Sequence, residues 1–150
     1  MNNLSQLKKI FATLVLLLVV TVCQSALAQT DPIEGAWMDA NKEAKINIFK
    51  ATDGKFYGKI SWLKEPLRNG KPKLDENNPE QKLKSREIVG LEILKGFVKD
   101  GDKYTDGTIY DPKSGKTYSC KMTRKGNSLD IRGYVGISLF GRTTTWTKTN

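Results

Sequence analysis

Beyond residue 34 the chain changes face at every second residue and turns before any run grows long. Ala44, Ile46 and Ile48 fall on one side of residues 44–50, with Lys45 and Asn47 on the other; Tyr118, Cys120 and Met122 repeat the pattern in residues 116–123. A period of two marks a half-buried strand. The breaks carry turn formers, as in Thr52-Asp53-Gly54 and Lys125-Gly126-Asn127. Runs at 34–38, 44–50, 55–63, 88–94, 103–110, 116–123, 128–134 and 142–148 predict eight strands, and nothing between them has helical amphipathicity. Eight short antiparallel strands predict an all-β, compact up-and-down barrel with one long loop, which leaves no sheet edge exposed. Such a barrel is either filled by its own side chains or holds one small ligand.

The first 28 residues read differently. Lys8 and Lys9 precede an apolar run at residues 10–22, and Ala26-Leu27-Ala28 is a small-x-small cleavage site. The run is shorter than the about 20 residues a bilayer-crossing helix needs. An export signal cleaved near Ala28 is expected, leaving residues 29–150 as a single barrel domain in the periplasm or outside the cell. Lipidation at Cys23 is the less favoured route, because Val22 stands where a small residue is wanted. Residues 29–33 read as a loose lead-in.

Composition narrows the chemistry. Processing leaves Cys120 alone, so no intramolecular disulfide is available and the core must carry stability. Histidine is absent, which removes the commonest general base and metal ligand. Cys120 falls on an inward face with no base nearby in sequence. Neither a catalytic residue, a metal site nor a cofactor is assigned, and the reading leans away from an enzyme. The net charge of +9 is spread over mixed-sign segments. It suits a solvated surface or attraction to anionic envelope material, while an exported address argues against nucleic acid. A monomer is expected.

Residues 64–87 break the strand rhythm with Pro66, Gly70, Pro72 and Pro79. Loops this long are functional or disordered. Asn78 and Pro79 could open a helical turn. Asp75, Asn77, Asn78 and Glu80 make an oxygen-rich cluster without the spacing of a calcium loop; an Asp75–Arg86 pair that pins the loop as a lid over one barrel mouth is the preferred reading. Asp111-Pro112-Lys113-Ser114-Gly115 reads as a hairpin turn. Gly115-Lys116-Thr117 mimics the tail of a phosphate loop, but Tyr110 stands where that motif needs glycine. Arg132, Tyr110, Tyr118 and Tyr134 could converge at a rim to hold an amphiphilic anion, or could simply pack. Residues 136–141 are apolar and glycine-bracketed; they could touch a membrane or partner, but a plug for one barrel end is favoured.

Gly35-x-Trp37 at the first strand, with arginines near the end of the chain, resembles the calycin superfamily that includes the lipocalins. In those barrels a late arginine lies across the tryptophan, a cation–π contact. Arg142 is the first choice for that latch, with Trp146 beside it, and Arg132 the second. The ordered set Gly58-x-Ile60-x-Trp62, Asp75-x-Asn77-x-Pro79, Gly107-x-Ile109-Tyr110-Asp111-Pro112, Gly115-Lys116-x-Tyr118 and Leu129-x-Ile131-Arg132-Gly133 is similar to the bacterial exported domain-of-unknown-function family 2147 (DUF2147). Tyr104 stands where that family often carries tryptophan. The resemblance implies a small calycin-like barrel and export, and brings no catalytic residue. The expected function is binding of a small amphiphilic or lipid-like envelope molecule. The alternative is a non-enzymatic envelope interaction or assembly factor with a side-chain-filled barrel.

Overall fold

Strands with one apolar face are stable only when those faces are buried together, and here they curl until the first meets the last. A computed structural model describes Asn3 and residues 30–149; the expected cleavage site and Cys23 lie outside the described residues. The strands are β1 (Gly35–Met38), β2 (Ala44–Lys50), β3 (Phe56–Leu63), β4 (Leu67–Arg68), β5 (Lys71–Pro72), β6 (Glu92–Asp100), β7 (Lys103–Asp111), β8 (Lys116–Lys125), β9 (Ser128–Tyr134) and β10 (Arg142–Lys148). Eight form a closed antiparallel barrel in the order β1-β10-β9-β8-β7-β6-β3-β2. The all-β, eight-stranded expectation holds. β4 and β5 form a tiny hairpin inside the long loop, turned by Asn69 and Gly70 at φ 53° and 75°. Asn-Gly is a strong hairpin signal, but these ladders are too short to show alternation.

The strand expected at 88–94 begins instead at Glu92 and runs to Asp100. Gly90 takes φ 91°, and the Ile88 N–H donates to the Lys73 carbonyl, so residues 88–91 belong to the returning loop. Gly96 and Asp106 also hold positive φ inside β6 and β7, and the β7–β8 register shifts between Tyr104 and Gly107. Such bulges reset the side-chain period and bend the sheet. Gly107 permits close packing: a Cβ there would stand 2.5 Å from the Phe97 ring.

The β2–β3, β6–β7 and β8–β9 turns gather at one end with residues 31–34 and the end of β10. That end is sealed by Ile33, Trp37, Phe56, Phe97 and Tyr104, all buried. The expected lead-in is therefore the seal. The Trp37 indole N–H donates to the Ile33 carbonyl at 2.7 Å. Asp31 accepts from the Ile33 N–H, the Lys99 ammonium and the Tyr104 hydroxyl. Burial works to raise the Asp31 carboxyl, but those hydrogen bonds outweigh it and hold it below its ordinary value.

The cation over Trp37 is Lys148, with Nζ 5.3 Å from the ring centroid and donating to the carbonyls of Pro32 and Glu34 at 2.7 and 3.0 Å. Strand pairing sets this, because Trp37 lies opposite Lys148 in the β1–β10 ladder. Arg142 does not fill the expected latch: it is exposed at the far end of β10, opposite Gly133. Among the described residues every barrel strand and every buried core side chain falls between Ile33 and Lys148. The ladder closes and the buried core lies within residues 31–149, a compact unit, so this part carries what it needs to fold by itself.

Candidate functional site

Toward the other end the side chains run out before the space does. On β10 Trp146 is buried, whereas Thr144 and Arg142, on the same alternation, are exposed. A cavity of about 530 Å³ opens here, walled by Ile46, Ile60, Ile93, Ile109 and Trp146, with Ala44 and Leu63 nearer the rim. The rim itself is charged. Lys113 pairs with Glu43 at 2.7 Å, Lys73 with Glu65 at 3.7 Å and Arg68 with Glu76 at 2.6 Å. Lys64 also lines the opening and makes none of those pairs.

The Lys113–Glu43 pair crosses the mouth. It joins the β7–β8 turn to the β1–β2 turn, and two strands separate those hairpins on either side of the ring. Hydrogen bonding to Lys113 holds the Glu43 carboxyl below its ordinary value and raises the Lys113 ammonium. Both side chains are largely solvated, so the pair adds little to stability. It can open readily.

The long loop is anchored more firmly. Asp75 is fully buried; Oδ1 accepts from the Tyr110 hydroxyl, and Oδ2 accepts from Arg86 Nη2 and Asn78 Nδ2, both at 2.8 Å. Burial, then the Asp75 hydrogen bond, pushes the Tyr110 hydroxyl up to about 12, so it stays a neutral donor at physiological pH. The Asp75 N–H donates to the Arg86 carbonyl, and Leu74 bridges Glu87, which ties the loop's outgoing and returning limbs together. Asn77 Nδ2 donates to the carbonyls of Pro112 and Lys113 at 3.4 and 3.0 Å. Gly115 makes room for that contact: a Cβ on it would stand 1.9 Å from the Asn77 carbonyl oxygen. The loop thus forms one wall of the cavity and is fastened to β7 and its turn.

Asp75 and Asn78 of the oxygen-rich cluster are taken up by this fastening. Asn78 Oδ1 accepts the Glu80 N–H, next to the 3-10 turn Gln81–Leu83. Asp111 accepts from the Lys113 N–H and the Ser114 hydroxyl, as a turn-capping residue does. Neither carboxylate is left to act as an acid–base pair. Cys120 is buried in the core, and its thiol is pushed up to about 12 by burial. An unreactive packing thiol results.

The other proposed site residues separate. Tyr118 faces Ile109 across β7–β8, while Tyr110 faces Thr117 on the opposite side. Leu129 and Ile131 are buried, so alternation turns Arg132 and Tyr134 outward. Arg132 is occupied there, donating to the carbonyls of Ser138 and Leu139 and to Thr143 Oγ1. Arg132, Tyr118 and Tyr134 therefore do not converge with Tyr110, and none of the three lines the cavity. Trp146 stands in the cavity wall. Asp75, Arg86 and Tyr110 are brought together, as a loop anchor. Lys64, Lys73 and the isoleucines of the wall were missed as site residues. The isoleucines gave an available signal, their inward alternation; the lysines gave none, since they sit among many surface charges.

The sequence profile described as "Uncharacterized protein conserved in bacteria (DUF2147)" matches residues 35–148. The chain belongs to this family. No curated protein matches it. Among solved structures it is similar to HP1028 from the human pathogen Helicobacter pylori, described as belonging to the lipocalin family, with 24% identity and a TM-score of 0.71. That similarity covers 81% of this chain and 85% of the other. At this identity the likeness speaks for the fold: this DUF2147 member is a lipocalin-like barrel.

Proposed function

We propose that the barrel binds one small amphiphilic or lipid-like molecule, its apolar part in the cavity and its anionic head at the rim near Lys64. The observation that carries this is the cavity. Its volume of about 530 Å³ lies within the roughly 300–1,000 Å³ of small-molecule sites, and its inner wall is apolar while its rim is charged. That combination fits a ligand with a tail and a head. It counts against the alternative of a barrel filled by its own side chains. The Lys113–Glu43 pair would part for entry, and the anchored loop would hold the wall in shape. With the export signal expected at residues 1–28, the ligand would be met in the periplasm or outside the cell.

The test is a titration of residues 29–150 with alkyl carboxylates, alkyl amines and lysophospholipids, following tryptophan emission with Trp146 as the wall reporter. The expected result is saturable binding that prefers the anionic head and is lost in Ala44→Phe, which puts a ring into the cavity near its mouth. No binding by any of the three classes, or binding that Ala44→Phe leaves intact in a folded variant, would overturn the reading.

A further inference from the structure

The β9–β10 connection carries an apolar surface that the cavity does not use. Val135, Ile137, Leu139 and Phe140 are 77%, 61%, 75% and 81% exposed. Folding ordinarily puts such side chains inside, and contiguous exposed apolar groups mark contact sites. The expectation of a barrel plug fails here, because these side chains point to solvent and residues 31–34 seal the opposite end.

The segment is nonetheless held in one shape. Arg132 donates to the Ser138 carbonyl at 2.7 Å, the Leu139 carbonyl at 2.9 Å and Thr143 Oγ1 at 2.9 Å. Lys121 Nζ donates to Ser138 Oγ at 3.1 Å. Residues Ser138–Phe140 form a 3-10 turn that closes with the Gly141 N–H on the Ser138 carbonyl. Polar groups of the loop are tied down by cations of the strands beneath, and its apolar side chains are left facing out. The strands that carry and flank the loop, β8, β9 and β10, are predominantly basic. After Asp111 the only acidic residue is Asp130, which is engaged by Lys125 and Thr145. Lys121 and Arg132 hold the loop from beneath, while Lys116 and Arg142, on strands that flank and carry it, are exposed.

We propose that residues 135–140 are a membrane-docking wedge: the four apolar side chains enter the interfacial layer of a bilayer, and the flanking cations meet anionic headgroups. Apolar burial and headgroup attraction together are what peripheral binding requires, since either alone is weak. A second copy of the chain is the poorer occupant, because it would bring the same cations face to face. The wedge stands at the same end of the barrel as the cavity mouth, so docking would bring the mouth to the bilayer. The inference does not depend on a ligand, since a barrel with nothing in its cavity would dock in the same way.

The experiment is co-sedimentation of residues 29–150 with phosphatidylcholine vesicles, with and without phosphatidylglycerol. Binding is expected with phosphatidylglycerol, weakening as salt is raised. Leu139→Ser/Phe140→Ser should lower it about tenfold or more, as loss of two buried apolar side chains requires. A Phe140→Trp variant should shift its emission to the blue on adding the same vesicles. Thermal unfolding of each variant checks that the barrel is intact. The proposal is overturned if neither vesicle binds. Equal binding by the double variant, or a concentration-dependent dimer in sedimentation velocity that the double variant abolishes, would also overturn it.

Discussion

The two ends of this barrel use similar residues to opposite effect. At the sealed end a lysine, an aspartate and a cluster of aromatic rings lock residues 31–34 over the opening: Lys148 lies on Trp37, and Asp31 takes the Tyr104 hydroxyl. At the other end Lys113 and Glu43 strap two turns together and Asp75 fastens the long loop to β7, around a cavity of about 530 Å³. The difference lies in side-chain volume per strand. Where Trp37, Phe56, Phe97 and Tyr104 point inward the interior fills; where Ala44, Ile46, Ile60 and Ile109 point inward it does not. The first end should govern stability and the second should govern binding.

The strongest way to break that division is to exchange the injuries. Trp37→Ala removes the largest buried side chain of the seal and should cost about 3–5 kcal/mol, read by chemical denaturation. Ala44→Phe at the other end enters open space rather than a packed core, so it should change stability far less than that while abolishing ligand binding. A comparable loss of stability from both would erase the distinction. Asp75→Ala should follow at about 2–3 kcal/mol, because three donors lose a buried acceptor and Arg86 is left uncompensated. Its separate signature is rapid proteolytic nicking within residues 64–87, with the rest of the barrel resistant.

Lys148→Met should cost about 1 kcal/mol. The double variant with Trp37→Ala should be less damaging than the sum, whereas Arg142→Met with Trp37→Ala should be additive. Asp31 sharpens the same end by pH. Its folded pKa is lowered, so the unfolded chain binds the proton more readily. The stability that Asp31 adds is fully present above its ordinary value of 3.8 and is lost as pH falls through the folded value. Asp31→Asn should flatten the acid limb of the stability curve below about pH 4. The smallest effect belongs to Lys113→Gln: almost no change in stability, as an exposed pair implies, but a faster ligand off-rate, since the strap across the mouth is gone.

The barrel was legible because its strands alternate and its turns carry Gly, Asn and Asp. What alternation could not supply was which residues meet. Arg132, Tyr118 and Tyr134 looked convergent, yet Arg132 and Tyr134 stand on the outer side of β9 while Tyr118 faces Ile109. The bulges around Gly96 and Asp106 shift the period by local backbone geometry that no hydrophobic pattern records. Two short segments exchanged their expected roles for a related reason. Residues 31–34 look polar and loose, but only Ile33 needs to be apolar to seal the barrel. Residues 136–141 look like core, but Arg132 and Lys121 hold them from below with their side chains outward. The Asp75–Arg86 contact needed no long-range geometry beyond one loop, and charge pairing within the segment pointed to it.

The most direct measurement is native mass spectrometry of the chain purified without denaturant from bacterial cells. The account predicts a single added mass of a lipid-like molecule on the wild type, retained in Lys148→Met and missing in Ala44→Phe. A wild-type barrel that comes out with no added mass, or an added mass that survives Ala44→Phe, would contradict it.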